Sequence, residues 1–151
     1  MVWKIFSKKS KKKKKVISYE EAKALAVDGD EKSRADLAGR NDVLREVLYY
    51  LADDPSPNVR KSIASNTAAP EHADLLLAKY KNENVRSSLA KKIARLSPGL
   101  TADEQNRLRH MTYDALSILA KDQATRVRQI LSEALRDVAK APPDVIRRLA
   151  W

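Results

Sequence analysis

Residues 51–90 read LADDPSPNVRKSIASNTAAPEHADLLLAKYKNENVRSSLA, and one phrase occurs in them twice. A Leu-Ala pair is followed by seven residues, an Arg, two residues, and then an aliphatic and a small residue: Leu51, Ala52, Arg60, Ile63, Ala64, and again Leu77, Ala78, Arg86, Leu89, Ala90. Moving back by the same 26 residues gives Leu25, Ala26, Arg34, Leu37, Ala38, and a looser fourth copy stands at Leu119, Ala120, Arg128, Leu131, Ser132. A period of this length predicts an α-solenoid, in which each unit buries its apolar face only by stacking on the next.

Working outward, Ser56 followed by Pro57 predicts a cap and a first helical residue, since proline's missing N–H costs nothing there. Val59 and Ile63 then face inward, Asn66 to Pro70 turns the chain, and Ala73, Leu76, Leu77 and Tyr80 form the next apolar stripe. Upstream, Leu44, Val47, Leu48 and Leu51 have i, i+3, i+4, i+7 spacing, and Ala22, Leu25 and Ala26 share one helical face. Ser18 and Glu21 have capping-box spacing, and Gly29 is expected to permit the reversal after that first helix. Two helices per 26 residues is tight, so the first of each pair is predicted to be a turn or two, with 3₁₀ character.

Downstream, Val85, Leu89, Ile93 and Leu96 extend a longer helix that Ser97, Pro98 and Gly99 end, and Thr101 and Glu104 offer a second capping box. A helix carrying Leu108, Met111, Ala115 and Leu119 follows, which delays the fourth phrase by 16 residues. Val127, Ile130, Leu131, Ala134 and Val138 line another helix, and a fifth Leu-Ala pair, Leu149-Ala150, comes without its Arg. An array that stops in mid-phrase is expected to continue in a further domain or to meet a partner.

The chain has 151 residues and a net charge of +10, and eight lysines lie in its first fifteen positions. Residues 1–16 are therefore expected to be a disordered lysine-rich tail, and residues 17–151 a nearly neutral helical domain with 22 basic and 20 acidic residues. The absence of cysteine removes disulfides, thiolate metal sites and cysteine nucleophiles, and agrees with a cytoplasmic setting. No apolar run reaches the roughly 20 residues of a membrane-spanning helix. The short apolar start precedes the positive charge, unlike a secretory signal.

Catalytic constellations are thin. His72 and His110 stand alone, and the pairs Asp53-Asp54 and Glu20-Glu21 fall where turns and helix starts favour acids. Three scattered glycines make no phosphate loop. The reading is therefore of a non-enzyme without cofactor, metal or small-molecule substrate. Tyr49, Tyr50, Tyr80 and Tyr113 are expected in core or groove positions, with one of the adjacent pair outside.

Arg34, Arg60, Arg86 and Arg128 are read as structural. An Asp or Asn precedes each (Asp28 or Asp30, Asp54, Asn82 or Asn84, Asp122), and a guanidinium can tie turn carbonyls and carboxylates with a fork that lysine lacks. The tail carries the strongest functional signal. Trp3 and Phe6 beside Lys4, Lys8, Lys9, Lys11, Lys12, Lys13, Lys14 and Lys15 suit an anionic membrane, where each nearby lysine adds on the order of 1 kcal/mol. Phosphorylation at Ser7 or Ser10 would weaken that attraction. A nucleic-acid arm and a solubility tail are the competing readings.

The phrase DPSPNVRKSIASN, followed by a helix ending in LLLAKY, resembles the HEAT-like and leucine-rich-repeat-variant α-solenoids. More narrowly, ISYEEAKALA, YYLADDPSPNVRKSIASN, KKIARLSPGLTADEQNRL and LAKDQATRVRQILSEALRDVAKAPPDVIRRLA resemble the N-terminal part of an alphaproteobacterial family, domain of unknown function 2336, over about residues 16 to 150. The resemblance implies a HEAT-like helical fold and brings no activity with it. Variant-repeat proteins with iron-sulfur clusters need cysteines this chain lacks. HEAT-like alkylpurine DNA glycosylases use a basic groove with aromatic and acidic residues, against which the near-neutral body argues. Two functions stand as expectations: a scaffold for a protein or peptide partner, held at the cytoplasmic face of the inner membrane by its tail, and a glycosylase-like nucleic-acid-binding module.

Overall fold

The computed structural model describes residues 15–96, 103 and 114–135, and all regular structure among them is α-helical. The helices are α1 (Tyr19–Asp28), α2 (Glu31–Ala38), α3 (Arg45–Leu51), α4 (Pro57–Ser65), α5 (Glu71–Ala78), α6 (Glu83–Leu96), a helical stretch at 114–120 that we call α7, and α8 (Thr125–Leu135).

Local chemistry sets many of the helix starts. The Ser18 hydroxyl accepts from the Glu21 N–H while the Glu21 carboxylate accepts from the Ser18 N–H, a reciprocal cap for α1. Asp30 accepts from Ser33 at α2, which holds its carboxyl below the ordinary aspartate range. Ser56 accepts from Asn58 at α4, with Pro57 as the first helical residue, and the Asn82 side chain accepts from Asn84 at the start of α6.

Contacts sort the helices into two rows. In the odd row α1 touches α3 and α3 touches α5; in the even row α2, α4, α6 and α8 touch in succession. Neighbours in sequence also touch across the rows from α1 to α6, and the apolar core lies between them. Leu51, Leu77 and Leu119 are fully buried, as are Val59, Ile63 and Leu89. Burial of each such side chain is worth about 1.5–3 kcal/mol, which is what these short helices need, since none would persist alone in water.

Several expectations need correction. The helices from α2 to α5 have 8, 7, 9 and 8 residues, so short and long members do not alternate, and the short ones are α-helical rather than 3₁₀. Leu25 and Leu76 sit on predicted apolar stripes yet are exposed. No described helix covers the Leu25 side of α1, and on α5 Ala73 and Leu77 take the inward face, which leaves Leu76 about a hundred degrees further round. Leu44 precedes the first turn of α3 and is exposed, and both Tyr49 and Tyr50 face out. Gly29 has φ −66° and ψ 155°, a conformation open to any residue. Its role is spatial: a Cβ there would lie 2.4 Å from the Leu25 carbonyl oxygen. The second capping box, Leu108, Met111, Val138 and the last Leu-Ala pair lie outside the described residues.

Candidate interaction face on the even row

The four arginines of the recurring phrase lie at or just after the starts of the even-row helices, and each reaches back to a carbonyl of the preceding turn. Arg34 donates to Gly29 O at 2.7 Å, Arg60 to Asp54 O at 2.6 Å and Arg86 to Tyr80 O at 2.9 Å, while Arg128 donates to Asp122 O and Gln123 O. The carboxylate partners differ from those expected. Arg34 grips Asp54 through Nε at 2.8 Å and Nη2 at 3.3 Å, and Arg86 grips Asp122 at 2.6 and 3.1 Å, so the carboxylate comes from the following turn. The hydrogen bond to Asp54 raises the affinity of the Arg34 guanidinium for its proton. Arg60 meets Tyr80 at the corresponding place and stacks on its ring, 3.9 Å from the centroid, with only a longer contact to Asp53 at 3.4 Å.

The second tie between even-row helices acts at their C-terminal ends. The Asn66 side-chain amide donates to Ala38 O and Arg40 O, both at 2.8 Å, closing off the end of α2. The Lys92 ammonium, 2% exposed, donates to Ile63 O and Asn66 O at the end of α4 and to the Asp74 carboxylate at 2.5 Å. Cationic donors belong at these ends, where unpaired carbonyls concentrate partial negative charge. Burial lowers the Lys92 pKa and raises that of Asp74, each opposed by the other's charge. Sequence reading missed this pair. Lys92 falls seven residues after Val85 and three after Leu89, on the apolar stripe of α6, and a charge in that position was the available signal.

Charge is divided between the rows. Helices α2, α4, α6 and α8 hold ten Lys and Arg against four Asp and Glu, whereas α1, α3 and α5 hold two against six. Among the described residues the exposed large apolar side chains, Tyr19, Tyr49, Tyr50 and Leu76 among them, all belong to the odd row or its lead-in segments. The near neutrality of the body thus conceals a basic face and an acidic, partly apolar one.

On the basic face a groove of about 780 Å³ crosses α4, α6 and α8. Lys61 stands on one wall, Lys91 and Arg95 along the middle, Ala94 and Ile130 supply apolar surface, and Glu133 closes the α8 side. A second hollow of about 600 Å³ lies over the Arg86–Asp122 tie, beside Lys79, Lys81 and Lys121. His72 is exposed on α5, and no cluster of three or more His, Cys, Asp or Glu that could hold a metal occurs among the described residues.

Of the tail's candidate binding residues Lys15 is described, and Val16 beside it is exposed. Lys15 is exposed too, its ammonium 3.8 Å from Glu21, and its backbone carbonyl accepts from Arg40 at 2.7 Å. Trp3, Lys4, Phe6, Lys8, Lys9, Lys11, Lys12, Lys13 and Lys14 lie outside the described residues, as does His110. None of the described helices is long and apolar enough to cross a membrane. The chain matches no protein-family model, no curated protein and no solved structure.

Proposed function

We propose that this chain is a non-enzymatic interaction scaffold, a HEAT-like α-solenoid with a period of about 26 residues. It holds a protein or peptide partner on its even row, and the lysine-rich tail tethers it to the cytoplasmic face of a membrane. The resemblance to the domain of unknown function 2336 family belongs to the same proposal. The arginine ties support the architecture: Arg34 and Arg60 each meet a residue 20 positions on, Asp54 and Tyr80, and Arg86 meets Asp122 at that distance plus the 16-residue insertion. The observation that carries the function is the groove across three even-row helices, lined by side chains from separate units, as solenoid binding surfaces are.

Vesicle co-sedimentation tests the tether. The chain is expected to sediment with anionic vesicles, and a variant with Lys8, Lys9 and Lys11 to Lys15 changed to Gln to remain in the supernatant. Equal sedimentation of the two would remove the tether from the proposal.

The basic bias of the even row favours a second reading, a nucleic-acid-binding module. Salt-dependent oligonucleotide binding that survives neutralisation of the tail would favour it over the scaffold.

A further inference from the structure

We propose that the groove between α4, α6 and α8 is a docking site for a short acidic peptide that carries an aliphatic side chain. This names the partner class for the face just described and rests on that scaffold reading.

The cations of the even row fall into two groups. Arg34, Arg86 and Lys92 are committed to Asp54, Asp122 and Asp74. Among the described residues Lys61 and Lys91 are exposed with no carboxylate partner, and Arg95 makes one long contact, to the Ser65 carbonyl at 3.5 Å. Lys91 and Arg95 are one turn apart on α6, so both face the same side, and Lys61 faces them from α4. Three cations therefore converge on the groove without a carboxylate to neutralise them among the described residues. The opposing carboxylate, Glu133, already accepts from the Gln129 amide at 3.1 Å.

Between the charges run Ala94 and Ile130, which water covers poorly and an aliphatic side chain would cover well. The groove volume of about 780 Å³ falls in the range of clefts that enclose small ligands. It suits a few residues of extended chain and is too small for a folded domain.

Nucleic acid is the weaker fit. Among the described residues no aromatic side chain lines the groove to stack a base, and the apolar strip has no partner on a phosphate backbone.

Fluorescence anisotropy with the full chain tests the assignment at physiological salt. Five labelled probes are compared: a short glutamate-rich peptide with a central leucine pair, the same peptide with the leucines changed to glutamine, two leucine peptides with the glutamates changed to glutamine or to lysine, and an oligothymidylate. The acidic leucine peptide is expected to bind best. Lys91→Glu and, separately, Lys61→Glu weaken it about tenfold. Ile130→Ser erases the advantage of leucine over glutamine, and oligothymidylate binding is unchanged by all three variants. Lys61 and Lys91 are exposed, so their reversal tests the site without risk to the core, and the tail is a background common to every variant.

If charge reversal leaves the peptide affinity within twofold, the acid is being read elsewhere and the site assignment fails. If a neutral or basic leucine peptide binds better than the acidic one and still responds to Ile130→Ser, the acidic preference fails while the scaffold stands. If only the oligothymidylate responds to groove variants, the scaffold reading itself falls.

Discussion

The joint between α2 and α4 and the joint between α4 and α6 do the same work with different chemistry. In the first, Arg34 holds Asp54 through two hydrogen bonds, and the Asn58 amide adds a bond to Glu31 at 2.6 Å. In the second, the place of Asp54 is taken by Tyr80, so Arg60 stacks on a ring, and the polar tie is made by Lys92, which donates to the Ile63 and Asn66 carbonyls at the end of α4 while Asp74 of α5 balances its charge. The α6–α8 joint returns to the first type through Arg86 and Asp122. The arginine position is constant and its partner varies, so the partner decides how much of each joint is charge and how much is stacking. The Arg–Asp forks keep one edge of the guanidinium in water although their carboxylates are buried, whereas the Lys92 ammonium is closed off entirely and depends more heavily on its partner.

The largest effect is expected at the buried pair. Asp74→Ala leaves the Lys92 charge without its carboxylate and should cost about 3–5 kcal/mol in urea unfolding. The double change Asp74→Leu with Lys92→Met should recover most of that loss, because it removes both desolvated charges. A single-variant cost below about 1 kcal/mol would show that water reaches the ammonium. Next in size is Asp122→Ala, which removes the acceptor for two Arg86 bonds and for the Ala124 N–H, and should cost roughly 2 kcal/mol. Faster hydrogen exchange in α8 than in α2 would locate that loss at its joint. Tyr80→Leu keeps apolar bulk but removes the ring under Arg60, and its expected cost is about 1 kcal/mol. If Tyr80→Leu costs as much as Asp122→Ala, the two joints are not as different as their contacts.

The smallest signal lies in pH dependence. Asp74 has its pKa raised by burial, so the folded state holds that proton more tightly and stability falls as pH rises above 3.8 through the folded value. Lys92 has its pKa lowered by burial, so the unfolded state takes up more protons just below 10.5 and stability rises with pH there. Relative to the Leu/Met double variant, the wild type should show a shallow trough of stability between these ranges. A flat difference across pH would mean that burial does not govern the pair.

What was legible in the chain was local or periodic. The Ser18 cap, Pro57 at a helix start, and the burial of Val59, Ile63, Leu77 and Leu119 follow from spacing of a few residues. The arginine partners were not legible, because spacing does not say whether a guanidinium turns back to its own carboxylate or forward to the next. The candidate groove was hidden by averaging. Counting 22 basic against 20 acidic residues treats the body as one surface, and only the alternation of helices between two rows separates Lys61, Lys91 and Arg95 from Glu20, Glu46 and Glu71. Leu25 and Leu76 show the limit of a stripe, which gives the greasy side of a helix but not whether a neighbour is there to meet it.

The Asn66 and Lys92 side chains close the ends of α2 and α4 from positions 26 to 29 residues later in the chain. Loosening one helix therefore strips the cap from the one before it, and an opening begun at α6 propagates backward to α4 and then α2 instead of stopping at a boundary. Thermal damage to these short segments should thus travel against the direction of synthesis.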